Sequence, residues 1–319
     1  MKKISIIGTV GIPATYGGFE TLVEYLTKYL SNNYDITVFC SGRNYSKRLT
    51  SYNGAKLIYI NLYANGLQSI FYDVISLIKS LKFADTILTL GVSGCISLPI
   101  IRLFSKKRII VNIDGLEWKR DKWSPLVKKL LKLSEKLAVN YADVVISDNK
   151  VIQNYVKEFY GKQSVFIPYG ADHVKKIVLT DDIRHKYSFL QSRYAFKVCR
   201  IEPENNIHLI LDVFSEYKKL NIVIIGNWLN SEYGRNLKTI YCNFKNIFLL
   251  DPIYDQSILN QLRSNCYIYI HGHSAGGTNP SLVEAMYLGL PIIAYGVSYN
   301  KETTKDKALY FNNKKDLLY

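Results

Sequence analysis

Two aspartates stand where acidic side chains could act on a hydroxyl group. Asp114 follows the apolar segment Arg108–Asn112, and Asp148 follows the apolar segment Val144–Ser147. If these segments are parallel strands, both carboxylates lie at the carboxyl edge of a sheet, where they could orient or deprotonate an acceptor hydroxyl. Asp148 could instead cap a helix that begins near Lys150, and Asp114 could be a turn residue before a glycine.

One arginine in the second half of the chain is suited to a diphosphate. Arg200 lies at the end of the first predicted strand of the second half, Tyr194–Val198. Because a guanidinium is planar and always charged, it can neutralise the charge that develops on a departing diphosphate. The alternative is a surface arginine paired with Glu202 or Glu204.

A glycine-rich loop connects the first predicted strand to the first predicted helix. The loop begins at Gly8 and ends at Gly17 and Gly18, so its backbone can approach a ligand closely and the helix N-terminus favours phosphate. It lacks the GxGxxG spacing, which disfavours a dinucleotide-binding fold. A merely flexible loop is the alternative interpretation.

A second polar loop precedes a helix that carries an acidic residue. The loop is Gly276-Gly277-Thr278-Asn279, the helix begins at Pro280, and Glu284 lies in it. Backbone N–H groups of the loop and the helix N-terminus could hold a sugar phosphate. Thr278 and Asn279 could equally be capping residues of this helix.

The elements that must position these residues alternate along the whole chain. Short apolar segments rich in β-branched residues are separated by amphipathic segments of helical length, which is typical of parallel sheets covered on both faces. The pattern restarts after the less regular segment Gly170–Ser192. We therefore predict two Rossmann-like α/β domains, residues 1–175 and 176–319, that face each other across a cleft with ligands at the strand carboxyl ends.

Composition indicates a globular protein with an anionic partner. The 319 residues are 48% hydrophobic and 21% charged, and their formal net charge is +15. The excess lies mainly in the first half, with 24 basic and 13 acidic side chains in residues 1–175 against 17 and 13 in residues 176–319. Five scattered cysteines without a CxxC favour the cytoplasm, and the longest uncharged stretch is shorter than the roughly 20 residues of a membrane span.

One segment suggests a membrane surface, and no segment suggests a metal site. The predicted helix within Ser124–Tyr141 places leucines on one face and lysines on the other, which suits anionic lipid headgroups. These residues are Leu126, Leu130, Leu133 and Leu137, and Lys128, Lys129, Lys132 and Lys136. An ordinary amphipathic helix with solvated lysines is the alternative.

His271 and His273 lack an accompanying acidic pair, and the chain contains no DxD triplet.

Four segments, in order, resemble the motifs of bacterial β-1,4-rhamnosyltransferases of streptococcal capsule and rhamnan synthesis. They are Gly11–Thr21, Asp114–Arg120, Arg200–Asn206 and Gly276–Ala285. These enzymes are retaining glycosyltransferases of the family 4 class with the GT-B fold. The resemblance implies transfer of L-rhamnose from dTDP-L-rhamnose to an undecaprenyl-diphosphate-linked saccharide in the synthesis of a cell-surface polysaccharide such as capsule or lipopolysaccharide O-antigen.

The resemblance also implies a mechanism without metal or cofactor, in which the departing phosphate takes the acceptor proton on the same face. The protein would then be cytoplasmic and peripheral on the inner face of the plasma membrane. The site residues so assigned are catalytic Asp148, Asp114 and Arg200; donor-binding Gly17, Gly18, Arg200, Gly277, Thr278, Asn279 and Glu284; and acceptor-binding Glu117, Trp118 and Arg120.

Three features depart from the family pattern. Gly276 stands where the class has the first of two glutamates, of which the second binds ribose hydroxyls, and Asn205 stands where many members have a lysine. The chain ends at Tyr319, where the fold normally continues with further helices, so the resemblance implies an incomplete second domain. The missing glutamate keeps a catalytically silent sugar-nucleotide-binding protein as an alternative. The charge of +15 also suggests a nucleic-acid-binding protein, but the sequence lacks nucleic-acid-binding signatures.

Overall fold

A computed structural model describes residues 1–15, 17–120 and 123–318. The chain divides into two compact units, Met1–Pro168 and Tyr169–Tyr319. Each unit is an α/β layer structure around its own parallel sheet, as the alternating pattern predicts. Among the described residues, no helix combines the length and the apolar character that crossing a bilayer requires.

The first unit is built on a sheet of eight strands within the described residues, in the order β3-β4-β2-β1-β5-β6-β7-β8. The strands are β1 (Lys2–Ile7), β2 (Tyr34–Ser41), β3 (Ser51–Tyr52), β4 (Ala55–Ile60), β5 (Thr86–Leu90), β6 (Arg108–Asn112), β7 (Val144–Ser147) and β8 (Val165–Phe166). Neighbouring strands are parallel, apart from the short antiparallel pair β3–β4. The carboxyl ends of β1, β5, β6 and β7 therefore meet at one edge.

Helices cover both faces of this sheet. They are α1 (Gly18–Leu30), α2 (Gln68–Ser80), α3 (Leu98–Phe104), α4 (Pro125–Tyr141) and α5 (Lys150–Tyr160). Ile6 of β1 packs with α1 in one apolar cluster, whereas Ile7 packs with α2 to α5 in another. This alternation follows from the period of two in a strand, and it puts α2, α3, α4 and α5 in one layer.

The buried face of α4 includes a glutamate. The helix exists where the sequence predicts it, but its buried residues are Leu131, Ser134, Glu135, Ala138 and Val139. Two leucines of the predicted apolar face, Leu126 and Leu133, are 78% and 47% exposed. Glu135 is hydrogen-bonded inside the layer, and Leu126 and Leu133 share the outer side with lysines.

The second unit has a sheet of six strands within the described residues, all parallel, in the order β11-β10-β9-β12-β13-β14. The strands are β9 (Tyr194–Val198), β10 (Asn221–Ile225), β11 (Ile247–Leu250), β12 (Ile268–His271), β13 (Ile292–Tyr295) and β14 (Leu309–Phe311). The helices are α6 (Asp181–Lys186), α7 (Ile207–Glu216), α8 (Glu232–Tyr241), α9 (Gln256–Ser264), α10 (Pro280–Tyr287), α11 (Ser298–Thr304) and α12 (Lys314–Leu318). Strands β9 and β12 at the centre lead directly to the candidate donor residues.

Candidate functional site

The glycine-rich loop after β1 is fastened by acidic side chains of α1. Glu20 is buried, and its Oε1 accepts hydrogen bonds from Thr9 Oγ1 at 2.8 Å and from the Val10 N–H at 2.7 Å. Gly8 has φ +85°, and a Cβ there would lie 2.0 Å from the carbonyl oxygen of Leu90. The glycine is therefore required by the close approach of this loop to β5.

Gly17 and Gly18 lie at the N-terminus of α1, the place predicted for them. Gly17 is the N-cap residue, and Gly18 is the first residue of the helix. A helix N-terminus favours an anion, so their position is compatible with phosphate. Sequence reasoning missed Glu20; its place in the first helical turn, after a polar loop, is the signal that could have identified it as a group that binds loop N–H donors.

Asp114 and Asp148 are brought to the same sheet edge. They follow the neighbouring strands β6 and β7, which pair with Asn112 opposite Ile146. Asp114 has φ +58°, and its N–H donates to Asn112 Oδ1 at 3.0 Å, so it does occupy a turn. Aspartate and asparagine adopt the left-handed backbone more readily than other residues with a Cβ, which suits Asp114 to this turn.

The structure excludes the helix-cap alternative for Asp148. Asn149 is the N-cap of α5, and its side chain accepts from the Val151 N–H at 2.9 Å. Asp148 is 2% exposed, directly before this cap. Asp148 is thus a buried side chain at the carboxyl edge that is not the N-cap residue, and it stays a candidate acceptor-side group.

The predicted acceptor-binding residues form a short turn held by its own contacts. Glu117 and Trp118 lie in a 3-10 turn, Glu117–Lys119. Arg120 Nε lies 2.9 Å from Glu117 Oε2, and Trp123 Nε1 donates to Glu117 Oε1 at 3.0 Å. The Trp118 ring packs on the α2–α5 layer and lies 4.5 Å below the Lys132 ammonium. The segment is thus a preformed turn rather than an extended loop.

In the second unit, Arg200 follows β9 and is fixed by its backbone. Its carbonyl oxygen accepts from the Glu202 N–H at 3.0 Å and from Asn205 Nδ2 at 2.9 Å. Asn205 is 3% exposed and also contacts His273 Nδ1 at 3.2 Å. Asn205 therefore shapes the turn that carries Arg200, which is a structural reason for an amide at that position.

Of the two candidate capping residues in the loop before α10, only one is the N-cap residue. Asn279 is the N-cap, since its Oδ1 accepts from the Ser281 N–H at 3.1 Å and from Ser281 Oγ at 2.7 Å. Thr278 lies one residue outside the cap and is 9% exposed. Gly277 belongs to the same loop, between β12 and α10. The capping interpretation therefore holds for Asn279 and not for Thr278.

Glu284 is held by two basic side chains that sequence reasoning missed. Its Oε2 lies 2.7 Å from Arg263 Nη1, and its Oε1 lies 2.9 Å from His173 Nε2. The side chains of Glu284 and His173 are each 11% exposed, and that of Arg263 is 2% exposed. No local pattern links three residues so far apart in the chain, so only the tertiary structure could reveal the cluster.

A buried imidazole lies at the end of β12. His271 is 1% exposed, and neither of its ring nitrogens has a hydrogen-bond partner among the described residues. Its ring stacks on Tyr269, with centroids 6.2 Å apart. Burial, with the nearby positive charge of Lys197 and His273, lowers the pKa of His271 well below its usual value. The imidazole is therefore neutral at physiological pH.

Two families match the chain. Residues 1–172 match the family described as Domain of unknown function (DUF1972), and residues 180–317 match the family described as Glycosyl transferases group 1. No curated protein sequence matches the chain.

Solved structures share its fold at low sequence identity. Sucrose-phosphate synthase from Thermosynechococcus elongatus is 14% identical, with a TM-score of 0.82 over 100% of this chain and 88% of that one. Anabaena HepE in complex with UDP-glucose is 14% identical, with a TM-score of 0.71 over the same shares. A glycosyltransferase from Rickettsia africae is 13% identical, with a TM-score of 0.67 over 99% of this chain and 86% of that one.

The predicted GT-B fold is thus confirmed. The match to DUF1972 covers more than half of the chain. The match to the glycosyl transferases group 1 family covers the part that contains Arg200 and Glu284. The chain belongs to the family of the domain of unknown function DUF1972, joined to a glycosyl transferases group 1 domain, and is a glycosyltransferase of the GT-B fold.

Proposed function

We propose that the protein is a retaining glycosyltransferase that moves L-rhamnose from dTDP-L-rhamnose to a lipid-diphosphate-linked saccharide of a cell-surface polysaccharide. The observation that carries the proposal is the arrangement of Arg200 and α10 around the carboxyl ends of β9 and β12, inside the group 1 domain. The solved HepE complex contains UDP-glucose, which supports a nucleotide sugar as the donor. The four motifs that resemble rhamnosyltransferases support the sugar.

Within the second unit, each donor residue has a chemical task. Arg200 neutralises the diphosphate as the glycosidic bond breaks, because its charge does not depend on pH. The N-terminus of α10 and the N–H groups of Gly277 and Thr278 hold phosphate or sugar oxygens. Glu284 accepts a hydrogen bond from the sugar of the nucleoside.

Within the first unit, the acceptor hydroxyl lies at the edge where Asp114 and Asp148 meet. One carboxylate orients the hydroxyl, and the departing phosphate takes its proton on the same face. The turn of Glu117, Trp118 and Arg120 is the proposed contact for the acceptor saccharide. No protein nucleophile and no metal is needed for these steps.

Transfer should therefore survive chelation. We expect the initial rate of sugar transfer to be unchanged in EDTA, because Arg200 and backbone dipoles stabilise the diphosphate that a divalent cation would otherwise neutralise. The measurement is transfer from dTDP-L-rhamnose to a lipid-linked acceptor, with and without EDTA. Loss of activity that Mg²⁺ or Mn²⁺ restores would contradict the mechanism, and donor binding without any transfer would favour the catalytically silent alternative.

The outer side of the α2–α4 layer is the proposed membrane surface. Large apolar side chains are exposed on all three helices. They are Phe71, Ile75 and Ile78 on α2, Ile100, Leu103 and Phe104 on α3, and Leu126 and Leu133 on α4. Leu103 and Phe104 are 78% and 83% exposed, and lysines 106, 129 and 136 are exposed around them. Protruding apolar groups among lysines suit an anionic bilayer, which would place the enzyme on the inner face of the plasma membrane.

Binding to anionic vesicles should depend on these lysines. The triple change Lys106→Gln, Lys129→Gln and Lys136→Gln should weaken binding by about 10²-fold at low salt, because each lysine near such a surface contributes about 1 kcal/mol. Cosedimentation with phosphatidylserine-containing and neutral vesicles measures the effect.

The matched control removes the same charge from the second unit. Exposed Lys218, Lys219 and Lys245 serve for this purpose. Their change to glutamine should leave binding within twofold of the unmodified protein. Equal binding of the unmodified protein to neutral and anionic vesicles would rule out this surface as an electrostatic membrane site.

A further inference from the structure

Two loops of the second unit that contain candidate donor residues are hydrogen-bonded to each other. One is the Arg200 turn (residues 200–206) after β9, and the other is the β12–α10 loop (residues 272–279). The Glu204 carbonyl accepts from the Ser274 N–H at 2.8 Å and from Ser274 Oγ at 3.0 Å. One carbonyl group of the Arg200 turn therefore holds the backbone and the side chain of the same residue in the β12–α10 loop.

The two loops also approach closely at a glycine. Asn206 Nδ2 donates to the Gly272 carbonyl at 2.8 Å. A Cβ at Gly272 would lie 2.2 Å from the carbonyl oxygen of Asn205, so a side chain at this position would push the loops apart. Gly272 is therefore required by the contact between the loops.

The side chain of Asn205 connects the two loops through both of its polar atoms. Its Nδ2 donates to the Arg200 carbonyl at 2.9 Å, and its Oδ1 lies 3.2 Å from His273 Nδ1. The first bond fixes the orientation of the amide, because the reverse orientation would set two carbonyl oxygens against each other. Since Oδ1 can only accept, His273 Nδ1 must carry a proton, whether the imidazole is neutral or charged. Both side chains are buried, so this bond is shielded from water.

We propose that Asn205 and His273 are positioning residues that hold the β12–α10 loop in place relative to Arg200. The inference rests on the proposed function, in which Arg200 and the N–H groups of Gly277 and Thr278 act on the same donor. Groups that act together on one substrate must keep their separation, and a displacement of about 1 Å can cost on the order of 10²-fold in rate. The amide of Asn205 keeps this separation because it is bonded to the Arg200 backbone at one end and to His273 at the other.

The test is a double-variant cycle on sugar transfer. Asn205→Ala should lower kcat about tenfold, because it releases the β12–α10 loop from the turn. In the Arg200→Ala background the same change should cost less than about twofold, because residues that act as a unit have non-additive effects. A merely structural role would instead multiply the two effects. Asn221→Ala is the matched control: it removes an amide that donates to Ser192 Oγ at the start of β10, and kcat should stay within about twofold.

Variants at both ends of the bond identify its chemistry. His273→Asn keeps an N–H donor close to the position of Nδ1 and should retain most of the rate, whereas His273→Leu should match Asn205→Ala. His273→Leu leaves the bond between Asn205 and the Arg200 carbonyl in place, so it tests the contact even if Asn205→Ala folds poorly. Asn205→Lys adds a positive charge but offers no acceptor to His273, so its kcat should be no higher than that of Asn205→Ala.

The proton on His273 Nδ1 can be observed without any substrate. The chain has five histidines, so a nitrogen–proton correlation spectrum of histidine-labelled protein should show this proton, and its signal should be absent in His273→Asn. A His273 Nδ1 without a proton, additive effects in the cycle, or faster transfer by Asn205→Lys than by Asn205→Ala would overturn the inference and leave the proposed function intact. If the unmodified protein binds dTDP but transfers no sugar, the proposed function falls, and the same cycle on the Kd of dTDP decides the inference. Failure to bind dTDP would overturn both.

Discussion

Replacing Arg200 by alanine should lower kcat by on the order of 10²-fold, the usual effect of losing one strong electrostatic donor to a developing charge. Arg200 follows β9 at the carboxyl edge of the second sheet, and Asn205 and Glu202 fix its backbone. Because the diphosphate gains charge as the glycosidic bond breaks, the arginine should act more on kcat than on KM. Steady-state rates with dTDP-L-rhamnose and a lipid-linked acceptor measure this split.

A matched control and a conservative variant sharpen this test. Arg193 lies at the other end of the same strand, where its guanidinium is 4.9 Å from the Tyr267 ring, and Arg193→Ala should leave kcat within about twofold. Arg200→Lys should recover only part of the rate, because an ammonium group cannot bind two oxygens in the planar geometry of a guanidinium. An unchanged kcat in Arg200→Ala would remove this residue from the active site.

Much of the fold was accessible from sequence periodicity. Strands such as Val144–Ser147 and Tyr194–Val198 are bounded where the apolar segments suggest, because a strand covered on both faces is mostly apolar. Their carboxyl ends then follow from the parallel topology. The placement of Asp148 and Arg200 at sheet edges needed no further information.

The orientation of α4 could not be predicted in the same way. The pattern of leucines and lysines along α4 gives no sign that Glu135 belongs to the buried face. In the structure Glu135 Oε1 accepts from the hydroxyls of Tyr155 and Tyr160, each at 2.7 Å, and the carboxylate is 1% exposed. A buried polar group is stable when such partners exist, and these partners lie on the next helix and at its end. The leucines that remain outside became the proposed membrane surface.

The contacts of Glu284 with His173 and Arg263 could not be predicted for a related reason. His173 lies 111 positions before Glu284, in a segment without helical or strand periodicity. Arg263 lies in an amphipathic helix, where an arginine side chain is ordinarily expected to be exposed to solvent. The contacts of Glu284 in α10 with Arg263 in α9 and with His173 are recognisable only in the tertiary structure. The same limit applied to Asp148, whose alternative as a helix cap was settled by Asn149.

Changing Asp148 to asparagine should reduce transfer by about 10²-fold, because an acceptor hydroxyl that is no longer oriented by the carboxylate loses the geometry needed for attack. Asparagine keeps the shape of the side chain and removes its charge, so donor affinity should be almost unchanged. The side chain is 2% exposed, and Asn149 rather than Asp148 caps α5, so the fold does not depend on this carboxylate for the cap. Calorimetry with dTDP and turnover on a lipid-linked acceptor separate the two effects.

Asp114→Asn is the natural comparison, because both residues follow neighbouring strands at one sheet edge. Asparagine tolerates the left-handed backbone of Asp114 at φ +58°, so the turn should survive the change. If Asp148 is the carboxylate that orients the acceptor hydroxyl, Asp114→Asn should raise the acceptor KM and spare most of kcat. The reverse result would exchange the two roles. Turnover at the unmodified rate in both variants would mean that neither carboxylate takes part, and that the departing phosphate alone receives the proton.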